Sequence, residues 1–256
     1  MTASGAGYDG LSLAGKRAVV TGAGRGIGRA AAELLAARGA EVILLARSLP
    51  ELQEVVAGII AAGGRAEAIA TDVVEDAALT AAFEKIGTAD LLVNSAGTNR
   101  PKPFVDVTPD DLDTLIGLNL RAVFRVTQFF VRQALSRRAP GVIVNISSQM
   151  GHVGAPDRSV YCATKHAVEG MTKALAVELA PQGIRIVSVA PTFVETAMTR
   201  PFLTSPVESD ALLAKVPIGR FGTVTEVAEV VAFLVSPAAA LVTGSSVLVD
   251  GGWVAQ

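Results

Sequence analysis

Seven short apolar runs recur along the chain, and each predicts a buried β-strand because its residues do not alternate with polar ones. Segments with helical composition separate these runs. Strands that are apolar on both faces are typical of a parallel sheet covered by helices on both sides. The sequence therefore predicts an α/β fold: a single doubly wound domain with a parallel seven-stranded sheet flanked by helices. The predicted strands are Arg17–Thr21, Glu41–Leu45, Ala66–Ala70, Asp90–Val93, Gly141–Ile146, Ile184–Val189 and Ser246–Val249, and the predicted helices are Arg29–Arg38, Leu52–Ala62, Asp76–Ile86, Pro109–Arg138, Ser159–Leu179 and Thr225–Val235.

Composition along the chain predicts its domain boundaries. Residues 1–12 are interrupted by glycines and predict a flexible segment, whereas residues 13–256 predict one domain without an internal repeat. Within that domain, residues 192–217 hold three prolines and predict an irregular segment that forms a lid over the substrate site.

Charge and residue counts narrow the functional classes. Charged residues are few and nearly balanced at a net charge of -2, which argues against a nucleic-acid partner. Cys162 is the single cysteine and the chain has 2 histidines, so we expect no metal site. No apolar run approaches the roughly 20 residues that cross a bilayer, and residues 1–10 do not resemble a secretory signal. We therefore expect a cytoplasmic protein with no membrane partner.

A glycine-rich turn links the first predicted strand to the first helix. Its residues run Thr21-Gly22-Ala23-Gly24-Arg25-Gly26-Ile27-Gly28. The backbone amides of such a turn can approach a pyrophosphate at the positive end of the helix dipole. The spacing Gly-x-x-x-Gly-x-Gly differs from the usual dinucleotide pattern Gly-x-Gly-x-x-Gly, so a purely structural turn is the alternative.

Ser148, Tyr161 and Lys165 form the candidate catalytic group. Tyr161 and Lys165 are four residues apart and share one face of a predicted helix. An ammonium group near a phenol favours the phenolate, so we expect Lys165 to lower the pKa of Tyr161 and make it a usable acid or base. Ser147 is the competing hydroxyl, and chance spacing on a solvated helix is the alternative for the Tyr-x-x-x-Lys pair.

Together these motifs resemble the short-chain dehydrogenase/reductase family. The resemblance rests on Thr21-Gly-x-x-x-Gly-x-Gly, Asn94-x-Ala96-Gly97, Ser148 and Tyr161-x-x-x-Lys165, and it runs from about Gly15 to Gly252. It implies a Rossmann-like NAD(P)-binding catalytic domain, a homotetramer, and hydride transfer between a nicotinamide cofactor and a ketone or secondary alcohol. The catalytic residues that it implies are Asn119, Ser148, Tyr161 and Lys165.

Each catalytic residue has an expected role. Tyr161 exchanges a proton with the substrate oxygen, Ser148 holds that oxygen, and Lys165 assists Tyr161 and binds the nicotinamide ribose. The resemblance implies that Asn119 sustains a water chain to Lys165. A buried structural amide is the alternative for Asn119, because an asparagine in an apolar helix needs a partner.

Charge at the end of the second strand predicts the cofactor. Ala46 stands where the family's NAD-dependent members carry Asp, whereas Arg47 and Arg25 suit the additional phosphate of NADP. We therefore expect NADP(H) in preference to NAD(H), with dual use as the alternative. Asp72 matches the adenine contact but also fits a helix cap. The predicted cofactor residues are Gly22, Gly24, Arg25, Gly26, Ile27, Gly28, Ala46, Arg47, Asp72, Val73, Asn94, Ala96, Gly97, Tyr161, Lys165, Pro191, Val194 and Thr196.

Many residues predicted to surround the site carry charge or form hydrogen bonds. Such a lining favours a sugar, a sugar acid or a polyol over a steroid or a long acyl chain. The alternatives are a 3-oxoacyl thioester reductase and, in another class, a non-catalytic NADP-binding regulator. The substrate candidates are Asn99, Ser148, Gln149, His152, Tyr161, Phe193 and Met198, with Arg100, Lys102, Glu195, Arg200 and Phe202 as further lining residues.

Two positions depart from the family pattern. Thr192 replaces the glycine of Pro-Gly-x-x-x-Thr, and Ser95 replaces a common asparagine. Neither change removes a group that the chemistry needs.

Overall fold

All seven predicted strands form, and they make one sheet. The computed structural model describes residues 9–200 and 206–256. The strands are β1 Arg17–Thr21, β2 Glu41–Ala46, β3 Arg65–Ala70, β4 Leu91–Asn94, β5 Gly141–Ile146, β6 Ile184–Pro191 and β7 Ser246–Val249. Their order is β3-β2-β1-β4-β5-β6-β7, and every neighbouring pair is parallel. The predicted fold class is confirmed.

Helices cover both faces of this sheet. They are α1 Gly26–Ala37, α2 Leu49–Ala61, α3 Asp76–Ile86, α4 Pro109–Ile116, α5 Val123–Arg137, α6 Ser159–Leu179, α7 Pro206–Leu213 and α8 Val224–Val235. One apolar layer includes Leu35 of α1 and Val231 of α8, and the other includes Phe83, Phe130 and Leu179 of α3, α5 and α6. Burial of these two layers explains why the strands are apolar throughout.

The region predicted as one long helix, 109–138, has a break in its middle. Residues Gly117–Ala122 form a π-helical stretch between α4 and α5. Glycine and asparagine are poor residues for a helix interior, and π-helical turns are frequent at functional sites. Asn119 lies in this stretch, so the irregular turn sets the position of a predicted catalytic residue.

The segment predicted to be irregular, 192–217, contains the helix α7. Proline is compatible with the first turn of a helix, and α7 begins at Pro206. Counting prolines as helix breakers therefore led to the wrong prediction for this part. Pro201 and Phe202 lie outside the described residues.

The chain order of the sheet creates a crevice beside β1. From β1 the sheet continues through β2 and β3 in one direction, and from β4 to β7 in the other. At such a switch point, the loops that follow neighbouring strands diverge and leave space for a ligand at the carboxyl ends of the strands. The turns after β1, β4, β5 and β6 all meet there.

Of the predicted flexible segment 1–12, residues 1–8 lie outside the described residues. Residues 9–12 form a turn, and the Gly10 carbonyl accepts a hydrogen bond from the Ala238 amide at 2.9 Å. Within 9–200 and 206–256, none of the helices combines the length and the apolar character that crossing a membrane requires.

Candidate active site

A cleft of about 740 Å³ opens at the carboxyl ends of the strands. Every predicted cofactor residue except Asn94 lines it. The cleft extends from the glycine turn after β1, past the end of β2, to Ser148 and Tyr161. A single cavity thus joins the predicted cofactor site to the predicted catalytic group.

Asn94 lies in the core and does not line the cleft, so its cofactor role stays a prediction. Its Nδ2 donates hydrogen bonds to Thr127 Oγ1 at 3.0 Å and to Asn145 Oδ1 at 2.9 Å. It therefore ties β4 to β5 and α5. Ser95, Ala96 and Gly97 line the cleft in its place.

The glycine turn leaves room that side chains would fill. Gly22 has a φ of 66°, and a Cβ there would lie 2.9 Å from the Ala96 backbone. A Cβ on Gly28 would lie 2.3 Å from the Gly22 carbonyl oxygen, so α1 packs directly on the turn. The helix begins at Gly26 and has no acidic residue in its first turn. These residues fit a dinucleotide pyrophosphate at a helix N-terminus.

The far end of the cleft carries mixed charge. Arg25 and Arg47 line it as predicted, together with Ser48 and Glu51. The Glu51 carboxylate lies close to the glycine turn, since its Oε2 is 2.9 Å from the Cβ position of Gly24. We did not predict Glu51 as a site residue. The Ser48-x-x-Glu51 pattern at the start of α2 was the available signal, because it is typical of a first helical turn.

Ser148, Tyr161 and Lys165 come together at the other end of the cleft. Ser148 follows β5, and its hydroxyl accepts a hydrogen bond from the Met150 amide at 3.1 Å and hydrogen-bonds the Tyr161 side chain. Lys165 Nζ lies 5.6 Å from the centre of the Tyr161 ring and donates a hydrogen bond to the Ile146 carbonyl at 2.8 Å. Lys165 is therefore anchored beside Tyr161 by the end of β5.

The pKa values of this group differ from our expectation. Burial raises the pKa of Tyr161 to about 12, and the hydrogen bond from Ser148 lowers it only in part. Burial also lowers the pKa of Lys165 to about 8, against an opposing effect of Glu169. Desolvation is thus the largest influence on both groups, and the net shift of the Tyr161 pKa is upward, opposite to the predicted direction.

Asn119 holds the loop that follows β4. Its Oδ1 accepts from the Thr98 amide at 2.9 Å, and its Nδ2 donates to the Thr98 carbonyl at 2.9 Å and to Thr164 Oγ1 at 3.4 Å. The side chain is completely buried and does not line the cleft. These contacts give Asn119 a structural role, and its water relay to Lys165 stays a prediction.

Only some of the substrate candidates reach the cleft. Ser148, Tyr161 and Met198 line it, whereas the others lie outside its lining: Asn99, Gln149, His152, Phe193, Glu195 and Arg200. Gln149 is buried, and Phe193 packs against Trp253 with ring centres 5.8 Å apart. These placements depend on long-range packing, which the order of residues along the chain does not reveal.

Tyr161 also lines a second, small hollow. Its lining includes Arg100, Lys102, Asp111 and Arg158. Arg100 Nη1 lies 2.6 Å from Asp110 Oδ2, and Lys102 Nζ lies 2.5 Å from Asp111 Oδ2. Arg100 and Lys102 are therefore already paired with carboxylates and do not line the cleft. In the part of the chain that the structure describes, no group of three or more His, Cys, Asp or Glu side chains is arranged to hold a metal ion.

Comparison with known proteins identifies the family. A family model described as enoyl-(acyl carrier protein) reductase matches residues 22–254. L-xylulose reductase of Bos taurus is 42% identical over 245 residues, which cover 96% of this chain and 99% of the relative. The chain belongs to the short-chain dehydrogenase/reductase family. The predicted family is confirmed, and with it an oxidoreductase that uses NAD(P).

Two other members of the short-chain dehydrogenase/reductase family differ in the activity that they are named for. A 3-oxoacyl-[acyl-carrier-protein] reductase of Vibrio cholerae is 38% identical over 246 residues, covering 94% of this chain and 98% of the relative. The crystal structure of a putative 2-deoxy-D-gluconate 3-dehydrogenase from Agrobacterium tumefaciens, with bound NADP, is 38% identical with a TM-score of 0.93. The aligned region covers 97% of this protein and 100% of the chain in that crystal structure.

Proposed function

We propose that the protein interconverts a ketone and a secondary alcohol on a small polyhydroxylated substrate: a sugar, a sugar acid or a polyol. The observation that carries this proposal is that Ser148, Tyr161 and Lys165 line the same cleft as the glycine turn. A bound nicotinamide dinucleotide would supply or accept the hydride. Tyr161 would donate a proton to the substrate oxygen during reduction and take it back during oxidation, while Ser148 holds that oxygen.

The substrate class is supported by the relatives. L-xylulose and 2-deoxy-D-gluconate, named in two relatives, are both polyhydroxylated, and one of them is a carboxylate.

We propose NADP(H) as the preferred cofactor. Arg25 and Arg47 line the end of the cleft where Ala46 leaves space, and a guanidinium group suits the additional phosphate. The related structure named above contains NADP. Glu51, at the same end, acts against this preference because its carboxylate repels a phosphate.

The sequence left two alternative functions open. A 3-oxoacyl thioester reductase is supported by the Vibrio cholerae relative. A regulator that only binds NADP is disfavoured because binding alone does not need Ser148, Tyr161 and Lys165 in one cleft.

The same proposal includes a lid, a homotetramer and a cellular location. Val194, Thr196 and Met198 line the cleft, which supports residues 192–217 as a lid over the substrate. Exposed apolar side chains on α5 and near β7 support a homotetramer. The cytoplasmic location stays a prediction, and cell fractionation is its test.

A substrate screen tests the proposed function. Purified protein is mixed with NADPH or NADH and with ketoses, keto-aldonates or acetoacetyl thioesters, and absorbance at 340 nm is followed; polyols and aldonates are tested with the oxidised cofactors. We expect the highest kcat/KM for a polyhydroxylated substrate with the NADP(H) pair. Higher kcat/KM for the thioester favours the first alternative, and cofactor binding without turnover of any compound favours the regulator. A clear NAD(H) preference contradicts the cofactor assignment.

A further inference from the structure

Glu169 is a buried carboxylate on α6, one helical turn after Lys165. Its residue surface is only 4% exposed, although acidic side chains are seldom buried without partners. It does not line the cleft, and no motif pointed to it. Its surroundings nevertheless connect it to the catalytic group from two directions.

Two serines hold the Glu169 carboxylate. Its Oε2 accepts a hydrogen bond from Ser188 Oγ at 2.6 Å, and its Oε1 accepts one from Ser246 Oγ at 3.1 Å. Ser188 and Ser246 are register partners on β6 and β7. The carboxylate is therefore fixed against two neighbouring strands, and both its oxygens are satisfied.

His152 extends this network to the turn that carries Ser148. His152 Nε2 lies 2.9 Å from Ser246 Oγ and 3.5 Å from Glu169 Oε1. Because Ser246 donates its proton to Glu169, the Nε2–H of His152 donates to Ser246. His152 directly follows a 3₁₀ turn, Gln149–Gly151, for which Ser148 is the N-cap.

The same turn also rests directly on α6. A Cβ on Gly151 would lie 3.1 Å from Glu169 Cγ and 3.1 Å from the Lys165 carbonyl oxygen. A side chain at this position would require the neighbouring atoms to shift by a few tenths of an ångström. Glu169 thus contacts the Ser148 turn through packing and through the His152–Ser246 hydrogen bonds.

Glu169 acts on Lys165 through charge. Burial lowers the pKa of Lys165 to about 8, and the negative charge of Glu169 opposes this effect by favouring the ammonium form. Among the residues that the structure describes, the titratable groups that interact with the Glu169 carboxylate are Lys165, on the same helix, and His152, on the adjacent turn. The strands β6 and β7 contribute the neutral hydroxyls of Ser188 and Ser246.

We propose that Glu169 is a positioning residue for the reaction: its carboxylate keeps the Lys165 ammonium charged and anchors the turn that presents Ser148. Its kinetic consequence rests on the proposed function, whereas its effect on Lys165 does not. A charged Lys165 beside Tyr161 favours the phenolate form, which forms each time Tyr161 gives up its proton.

The direct test is a titration of Lys165 by NMR. The chain has only six lysines, so the 13Cε signal of Lys165 can be assigned by its loss in Lys165→Arg. We expect the pKa of Lys165 to fall by about 1 unit in Glu169→Gln, which keeps the shape of the side chain but removes its charge. Glu178→Gln is the matched control, because Glu178 is exposed on the same helix, and it should leave the titration unchanged.

The kinetic test separates charge from a purely structural role. If the pKa of Lys165 falls by about 1 unit, its charged fraction at pH 8 falls about fivefold, whereas at pH 6 it hardly changes. We therefore expect kcat of Glu169→Gln to be about fivefold lower at pH 8 and close to the wild-type value at pH 6, with little change in the KM for the cofactor. A loss of equal size at both pH values indicates only a structural role and overturns the proposal.

Glu169→Asp is a second variant, which keeps the test possible if Glu169→Gln does not fold. Glu169→Asp keeps the charge but withdraws it by one methylene, so we expect a smaller shift of Lys165 in the same direction. An unchanged Lys165 titration in every folded Glu169 variant overturns the proposal. If Lys165 shifts as expected but no substrate is turned over, the proposed function fails and the role of Glu169 in charging Lys165 stands.

Discussion

At the scale of single residues, Tyr161 illustrates a competition between burial and hydrogen bonding. Burial raises its pKa to about 12, and the hydrogen bond with Ser148 acts in the opposite direction. In the chain without ligands, Tyr161 therefore holds its proton throughout the neutral range. This state suits reduction, in which the substrate oxygen must receive a proton.

Replacing Tyr161 with phenylalanine removes that proton donor while keeping the ring. We expect kcat to fall at least about 100-fold, the usual contribution of a positioned acid or base. The Kd of NADP(H), measured by calorimetry, should change little because the glycine turn and Arg47 stay intact. Cys162→Ala is the control, since Cys162 is the next residue and does not line the cleft. Near-normal kcat in Tyr161→Phe contradicts the catalytic assignment.

Glu51 gives a second prediction at this scale, about the cofactor. Its exposed carboxylate lies at the same end of the cleft as Arg25 and Arg47 and repels an additional phosphate. We expect Glu51→Gln to raise the kcat/KM ratio of NADPH to NADH about fivefold, the effect of about 1 kcal/mol of charge repulsion in a partly hydrated site. Glu54→Gln is the matched control, because Glu54 lies in the same helix, pairs with Arg29 and does not line the cleft. An equal change in both variants assigns the effect to net charge alone.

At the scale of secondary-structure elements, the sequence predicted the regular parts well. The strands were predictable because uninterrupted apolar runs have few other structural solutions, as in Val142 to Val144 of β5. The π-helical stretch was not predicted, because the helical composition of 109–138 continues through it. Its cause lies in tertiary packing, in which Asn119 reaches the backbone of Thr98.

Asn119 therefore gives a prediction about the element that contains it. Asn119→Ala leaves the partly buried Thr98 amide and carbonyl without their side-chain partner, which costs about 1 kcal/mol for such groups. Since the Ser95–Thr98 loop lines the cleft, we expect the Kd of the cofactor to rise together with a lower urea midpoint of unfolding. A water relay would instead lower kcat alone. Gln133→Ala is the control, because it removes one amide hydrogen bond, to the Phe83 carbonyl, at a distance from the cleft.

At the scale of the whole molecule, the sequence motifs predicted residues that line the cleft but not the buried residues that pack beside it. Ser148, Tyr161 and Lys165 were predictable because two lie on one helix face and the third follows a strand. Glu169 was not predictable as a partner, since its contacts with Ser188 and Ser246 require the pairing of β6 with β7. The core partners of Asn94 were not predictable for the same reason, because Thr127 and Asn145 are distant in the sequence.

The predicted homotetramer is also a property of the whole molecule, and the surface supports it through two exposed apolar regions. Phe124 is 47% exposed on α5, and Leu241, just before β7, is 97% exposed. Because exposed aromatic and leucine side chains are favourable in an interface core, we expect a mass of about 105 kDa by light scattering, four times the 26.2 kDa chain.

If each region forms its own interface, a substitution in one region should disrupt only that interface. Phe124→Glu and Leu241→Lys should each reduce the mass to that of a dimer, about half of the tetramer, and the double variant should be a monomer. Ile60→Glu is the control, because Ile60 is 57% exposed on α2 and far from both regions in the sequence. This substitution should leave the mass unchanged. A monomeric wild type at micromolar concentration contradicts the tetramer, and full activity of that monomer shows that Ser148, Tyr161 and Lys165 need no partner subunit.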